Sequence, residues 1–130
     1  MAGTILIAND KSPDQKELAI HHFMQGEFLL NQGNYALAVL EFQDALDIDP
    51  NASTIHISIA DAYRRLGRSK HAEDHLRISI DLNPEELSSR EMLGHLYLIN
   101  RRYDDAEKEF LVLSELDISN DNYITVLGDL

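Results

Sequence analysis

The chain has no cysteine among its 130 residues, and it is poor in basic residues, with 11 lysines and arginines against 23 acidic residues. Without cysteine there is no disulfide framework and no thiolate metal or redox chemistry. A formal net charge of −12 keeps the chain soluble and repels nucleic acid and anionic membrane at long range. Its expected partners are therefore basic, apolar or neutral in character, and charge alone does not name them. No apolar run reaches the length of a membrane-spanning helix. The N-terminal run "ILIA", residues 5 to 8, is too short for the core of a secretory signal, and no basic residue precedes it. A cytoplasmic location is the expectation. Apolar residues make up 44% of the chain, enough for a packed core.

Against these absences stands a repetition. "LDIDPN" at residues 46 to 51 returns as "IDLNPE" at 80 to 85 and more faintly as "LDISND" at 116 to 121. Pro50 and Pro84 are 34 residues apart, as are Gly33 and Gly67. Ala38, Ala72 and Ala106 share that step, and so do Gly26, Ala60, Gly94 and Gly128. Phe42, Leu76 and Phe110 form a further ladder. A period of this size means a solenoid built from one supersecondary unit.

Each unit reads as two helices. In "HFMQGEFLLNQGNYALAVLEFQDALDIDP", residues 22 to 50, apolar residues recur at the helical spacing up to Asn31. "NQGNY" interrupts, with Gly33 free to take positive φ at a helix C-terminus. Ala38, Phe42 and Ala45 then form a second helical stripe. Asp49-Pro50 and Asn83-Pro84 are expected to end one unit and cap the next, with proline in the first turn and Glu86 completing a capping box. Ser12-Pro13-Asp14-Gln15 offers a capping box at the start of the array. Helices are expected near 13–31, 35–47, 52–66, 69–82, 85–100, 103–116 and 120–130, with residues 1–12 an N-terminal tail.

These residues resemble the tetratricopeptide repeat, whose pattern has an aromatic, then Leu-Gly, Tyr, Ala, Phe and a closing Pro. "LGHLY" (Leu93 to Tyr97), "AEKEF" (Ala106 to Phe110) and "AVLEF" (Ala38 to Phe42) carry the likeness, with Ala60, Tyr63, Ala72, Leu76 and Pro84 in the second unit. His22, His56 and Arg90 stand where the opening aromatic would be, and Ile118 replaces the third closing proline. The resemblance implies an all-α, right-handed solenoid of three units, about 19–52, 53–86 and 87–120, with 121–130 the first helix of a fourth or a cap. Leu127-Gly128 repeats the Leu-Gly position, and Ile124, Leu127 and Leu130 give the last helix an apolar character. A chain cut from a longer protein is the expectation there, with self-association through that helix a consequence to test.

The family lines a concave groove with the first helix of each unit. Carried onto this sequence, the groove comprises Ile20, Phe23, Glu27 and Leu30, then Thr54, Ile57, Asp61 and Arg64, then Ser88, Glu91, His95 and Leu98, then Asn122 and Thr125. It would be apolar near Ile20, Phe23 and Ile57 and acidic around Glu27, Asp61 and Glu91. That suits a peptide or helix with an apolar anchor and a Lys or Arg. A subclass of the family grips acidic chaperone C-termini with Lys and Asn. The matching positions here are Phe23, Glu27, Ser58, Ser88 and Met92, none of them basic.

Arg64, Arg65, Arg68, Lys70, Arg101 and Arg102 crowd the turns inside the units, and Asp47, Asp49, Asp81, Glu85, Glu86, Glu115, Asp117 and Asp121 those between them. This sorting offsets the helix dipoles. It would also give one basic and one acidic edge.

Little here suggests catalysis. His71 and His75 have a zinc-compatible i, i+4 spacing, but no glutamate beside the first and no evident third ligand. His21-His22 is a weaker pair. Asp47, Asp49 and Asn51 start like a calcium loop, which then fails at Ala52 and Ser58. There is no glycine-rich phosphate loop and no nucleophile elbow. The expectation is a non-enzymatic scaffold or adaptor with no cofactor and no metal. A small acidic secretion chaperone, or an accessory domain of a larger enzyme or signalling protein, is the alternative.

Overall fold

The computed structural model describes residues 12–130. The expected tail, Ser12 apart, lies outside the described residues. The seven described helices are α1 (Pro13–Asn31), α2 (Tyr35–Ile48), α3 (Ser53–Arg65), α4 (Ser69–Leu82), α5 (Leu87–Ile99), α6 (Tyr103–Leu116) and α7 (Asp121–Asp129), and there is no strand among the described residues. Each helix packs on the next along the chain, so the architecture is an all-α solenoid of hairpins.

The first cap forms as its residues require. Ser12 Oγ accepts from the Gln15 N–H at 3.2 Å, and the Gln15 side-chain oxygen accepts from the Ser12 N–H at 3.2 Å. The two proline turns form differently from the expectation. Ala52, Glu86 and Asn120 each donate their N–H to a carbonyl three residues back, at Asp49, Asn83 and Asp117. Residues 49–52, 83–86 and 117–120 are thus tight turns, with Pro50 and Pro84 at their second position, where a fixed φ is an advantage. Proline also disfavours helical geometry at the residue before it, and Asp49 and Asn83 are both non-helical, as is Asp117 at the turn without a proline. Helices α3 and α5 therefore begin at Ser53 and Leu87, beyond the prolines. Ala52 provides no side-chain cap to α3. Glu86 is itself the cap of α5, accepting from the Ser88 N–H at 3.3 Å, so no Asn83–Glu86 capping box forms.

Inside each hairpin the turn is the same. Gly33 and Asn34 donate to the carbonyls of Leu30 and Leu29, Gly67 and Arg68 to those of Arg64 and Tyr63, and Arg101 and Arg102 to those of Leu98 and Tyr97. This double closure needs a left-handed residue, and φ is 83° at Gly33, 75° at Gly67 and 60° at Arg101. Arginine at that place costs about 1–2 kcal/mol of Cβ crowding. Arg101→Gly should accordingly raise stability by about 1 kcal/mol once the looser unfolded chain is allowed for. A urea midpoint that stays put or falls would refute this reading of the turn.

Small residues let the hairpins close. A Cβ at Gly26 would stand 2.5 Å from the Phe42 ring, and one at Gly94 would stand 2.9 Å from that of Phe110. Unit two seats the shorter Leu76 and has room for Ala60; both are fully buried. Two clusters result. One gathers Ala38, Val39, Phe42, Ala45, Ile55, Ile59 and Ala62. The other runs from Ala60, Ala72 and Leu76 to Tyr97, Phe110, Leu113 and Tyr123. Tyr63 packs on both and joins them.

Candidate functional site

The first helix of each hairpin carries the expected groove residues, and the structure gathers seven of them into two clefts. The first, of about 540 Å³, lies between α1, the turn after α2 and α3; Ile20, Phe23 and Thr54 line it with Lys16, Ala19, Asp49 and Ile55. The second, of about 410 Å³, is lined by Arg64 of α3 and by Ser88, Glu91 and His95 of α5, with Met92 and Ile99. Lys16 and Asp49 escaped sequence reasoning because one precedes the repeat and the other sits in a turn. Ile55 precedes its helix's first assigned groove residue after Thr54 by two positions and is mostly buried.

The other seven behave otherwise. Leu30 and Leu98 are partly buried against the core clusters. Ile57 lies on α3, partly buried, and lines neither cleft. Asn122 is exposed near the start of α7, and the Thr125 hydroxyl donates back to the Asp121 carbonyl at 3.2 Å. Asp61 accepts from Arg64 at 2.6 Å and from Arg65 at 3.4 Å. Glu27, one turn along α1 from Phe23, has a buried Oε1 with no hydrogen-bond partner. In the second cleft the Tyr123 hydroxyl donates to Glu91. Burial, together with that carboxylate, pushes the Tyr123 phenol up to about 12, so it remains a donor at neutral pH. Two of the three expected groove acids are thus engaged within the fold, and Glu27, which lines neither cleft, is the one with a buried, unpartnered oxygen.

Much of the expected basic edge is also engaged. Arg64 and Arg65 hold Asp61, Lys70 holds Asp74 at 2.9 Å, and Arg102 holds Asp105 and Glu73. Glu73 is the centre of a network between units two and three. It accepts from Arg102 at 2.8 Å, from Arg77 at 3.3 Å and from the Tyr97 hydroxyl at 3.2 Å, while the Arg102 guanidinium lies 4.5 Å above the Tyr97 ring. Burial alone would raise the Glu73 carboxyl, but Arg102, Tyr97 and Arg77 hold it below its ordinary value.

A slot absent from the sequence reading recurs in all three hairpins. The residue standing for the opening aromatic meets a side chain of the second helix 19 positions later: His22 with Glu41 at 2.7 Å, His56 with His75 at 3.0 Å, and Arg90 with Glu109 at 3.2 Å. His56 and Arg90 also reach the carbonyls of Pro50 and Pro84. The signal was present, since positions 41, 75 and 109 keep the same period. Polar pairs of changing chemistry do not stand out when only apolar ladders are followed. His71 and His75 both stack on Tyr63, and His75 faces His56, which turns the zinc-compatible spacing to packing use.

Comparison with known proteins bears directly on the repeat. A family model described as tetratricopeptide repeat matches residues 6–53 and 57–120. Human DnaJ homolog subfamily C member 3 is 33% identical over 89 residues, which is 68% of this chain and 18% of that protein. A Caenorhabditis elegans protein O-mannosyl-transferase is 33% identical over 76 residues, 58% of this chain and 11% of that protein. The chain therefore spans less than a fifth of the length of these curated relatives. Among solved structures, the first tetratricopeptide domain of Spaghetti (RPAP3), bound to an HSP90 peptide, superposes with a TM-score of 0.79 at 22% identity, covering 88% of this chain and 90% of that one. MamA from Desulfovibrio magneticus RS-1 superposes with a TM-score of 0.74 at 22% identity, covering 78% and 58%. With the period, the hairpins and the family match in agreement, the chain belongs to the tetratricopeptide repeat family.

Proposed function

We propose that this domain is a non-catalytic, cytoplasmic protein-interaction module that binds an extended or helical segment of a partner along α1, α3 and α5. The observation that carries the reading is the apolar cleft between Ile20, Phe23, Thr54 and Ile55, with the unpartnered Glu27 oxygen one helical turn beyond Phe23. An apolar anchor would fill the cleft, and a Lys or Arg of the same segment would satisfy Glu27.

The Spaghetti domain is described with an HSP90 peptide bound. An acidic chaperone tail suits the present groove poorly, because Phe23, Glu27, Ser58, Ser88 and Met92 occupy the positions where that subclass carries its basic and amide side chains. A role as an accessory domain of a larger protein is the second reading, favoured by the small share of its curated relatives that the chain spans.

Affinity capture from source lysate tests the proposal, with wild type beside Ile20→Glu/Thr54→Glu and Glu27→Gln. Ile20 and Thr54 are exposed, so their replacement should leave the circular dichroism spectrum and melting curve unchanged. A partner held by wild type should be lost from the double variant and weakened by Glu27→Gln. Equal retention by all three would move recognition away from this cleft.

A further inference from the structure

The recurring slot between the two helices of each hairpin is filled in three ways, and the first is unlike the others. In unit three it is an ordinary ion pair, Arg90 with Glu109, both largely buried. In unit two it is a pair of histidines. In unit one it is His22 with Glu41, and a second carboxylate, Asp44, joins them with its Oδ2 4.0 Å from His22 Nδ1. The positions equivalent to Asp44 in the other units are the apolar Ile78 and Val112. A carboxylate has been placed on a stripe that is otherwise aliphatic, one turn from Glu41 and on the same face of α2. No lysine or arginine occurs anywhere from residue 17 to 63, and the one basic residue of this hairpin, Lys16, stands six positions before His22.

We infer that His22, Glu41 and Asp44 form a binding site for a divalent transition-metal ion, best matched by Zn²⁺, that fastens α1 to α2. The three ligand atoms lie within 4.8 Å of one another. Zinc bonds of about 2.0–2.2 Å to nitrogen and oxygen put neighbouring tetrahedral ligand atoms roughly 3.3 Å apart. The His22–Glu41 separation of 2.7 Å must open slightly and the 4.0 Å reach of Asp44 must close. Asp44 is the most exposed of the three, so its side chain is the one freest to make the adjustment. Binding requires His22 to present the Nδ1 lone pair and carry its proton on Nε2. Two carboxylates and a neutral imidazole give the ion a compensating charge, and the mixed nitrogen–oxygen set suits zinc over magnesium or calcium. A fourth position stays open to water.

The test is calorimetric titration of Zn²⁺ into the full chain and into three variants: His22→Ala, Asp44→Asn and His71→Ala/His75→Ala. The last removes the other histidine pair of suitable spacing. Wild type and the double variant should bind about one equivalent with the same affinity. His22→Ala and Asp44→Asn should bind more weakly by at least about 10–100-fold, the loss that even an outer-shell partner of a metal causes. Zinc should also raise the melting temperature of wild type, and this rise should vanish in His22→Ala. Asp44→Asn preserves shape and separates loss of the ligand from loss of the fold. Affinity unchanged in His22→Ala, affinity lost only in the His71/His75 variant, or no binding by wild type would each overturn the assignment.

Discussion

Ala72→Leu should lower the melting temperature by roughly 10 °C. Ala72 is fully buried and belongs to the cluster with Ala60, Leu76 and Tyr97. It stands on the alanine ladder that lets α3 and α4 approach, and three added carbons have no space there. Overpacking of this kind costs about 1–3 kcal/mol. For a domain of this size each kcal/mol moves the midpoint by about 4 °C. Ala36→Leu, on the exposed side of α2, is the matched control and should change stability by less than about 0.5 kcal/mol. A normal melting curve for Ala72→Leu would mean that the repeat register is misplaced.

Acidification should weaken the fold well above the range where carboxylates titrate. Burial, reinforced by the facing His56, pushes the His75 imidazole from 6.5 down to about 4. The ring also meets His71 and Asp74 of its own helix and stacks on Tyr63 of α3, while His56 is anchored to the Pro50 carbonyl. Between about pH 6.5 and 4 the unfolded chain takes up a proton that the folded chain refuses. Stability is therefore full above pH 6.5, falls as pH drops through this window, and levels off below about 4. The full shift would correspond to about 3 kcal/mol. The ring is only about half buried, and solvent screening reduces the expected loss to about 1–2 kcal/mol. Glu73 has a lowered carboxyl and so loses its contribution only at lower pH, which leaves the interval from 6.5 to 4.5 to the histidine. Urea titrations across that interval should show the slope in wild type and a flatter profile in His75→Gln. The same slope in both would place the sensitivity elsewhere.

The architecture was legible because the period is written in residues whose roles are local. Gly33 and Gly67 announce a left-handed turn, Ser12 and Gln15 a cap, and Ala38, Phe42 and Ala45 a buried stripe, whatever lies beyond the hairpin. Arg101 gave no such announcement, and its positive φ follows only from the turn it shares with the two glycines. Pro50 and Pro84 point in the sequence to helix starts, because proline suits a first helical turn. It suits the second position of a tight turn equally well, and the hydrogen bonds at residues 49–52 and 83–86 select the latter.

The candidate groove was legible only in part. The repeat assigns residues to the first helices, and Ile20, Phe23, Thr54, Arg64, Ser88, Glu91 and His95 of that set line the two clefts. It does not report whether a carboxylate is already satisfied. Asp61 is answered within its own helix by Arg64 and Arg65, at spacings the sequence does show, whereas Tyr123 reaching Glu91 and the unpartnered oxygen of Glu27 depend on rotamers and helix crossings that no single stretch encodes. The sequence by itself determined the repeat, the number and order of the helices and the small residues at their contacts, since these depend on spacing along one chain segment. Only the tertiary structure decided which polar groups meet: the slot pairs, the Glu73 network and the two clefts join side chains from different helices. Their contact energies depend on separations of a few ångströms that spacing along the chain does not specify.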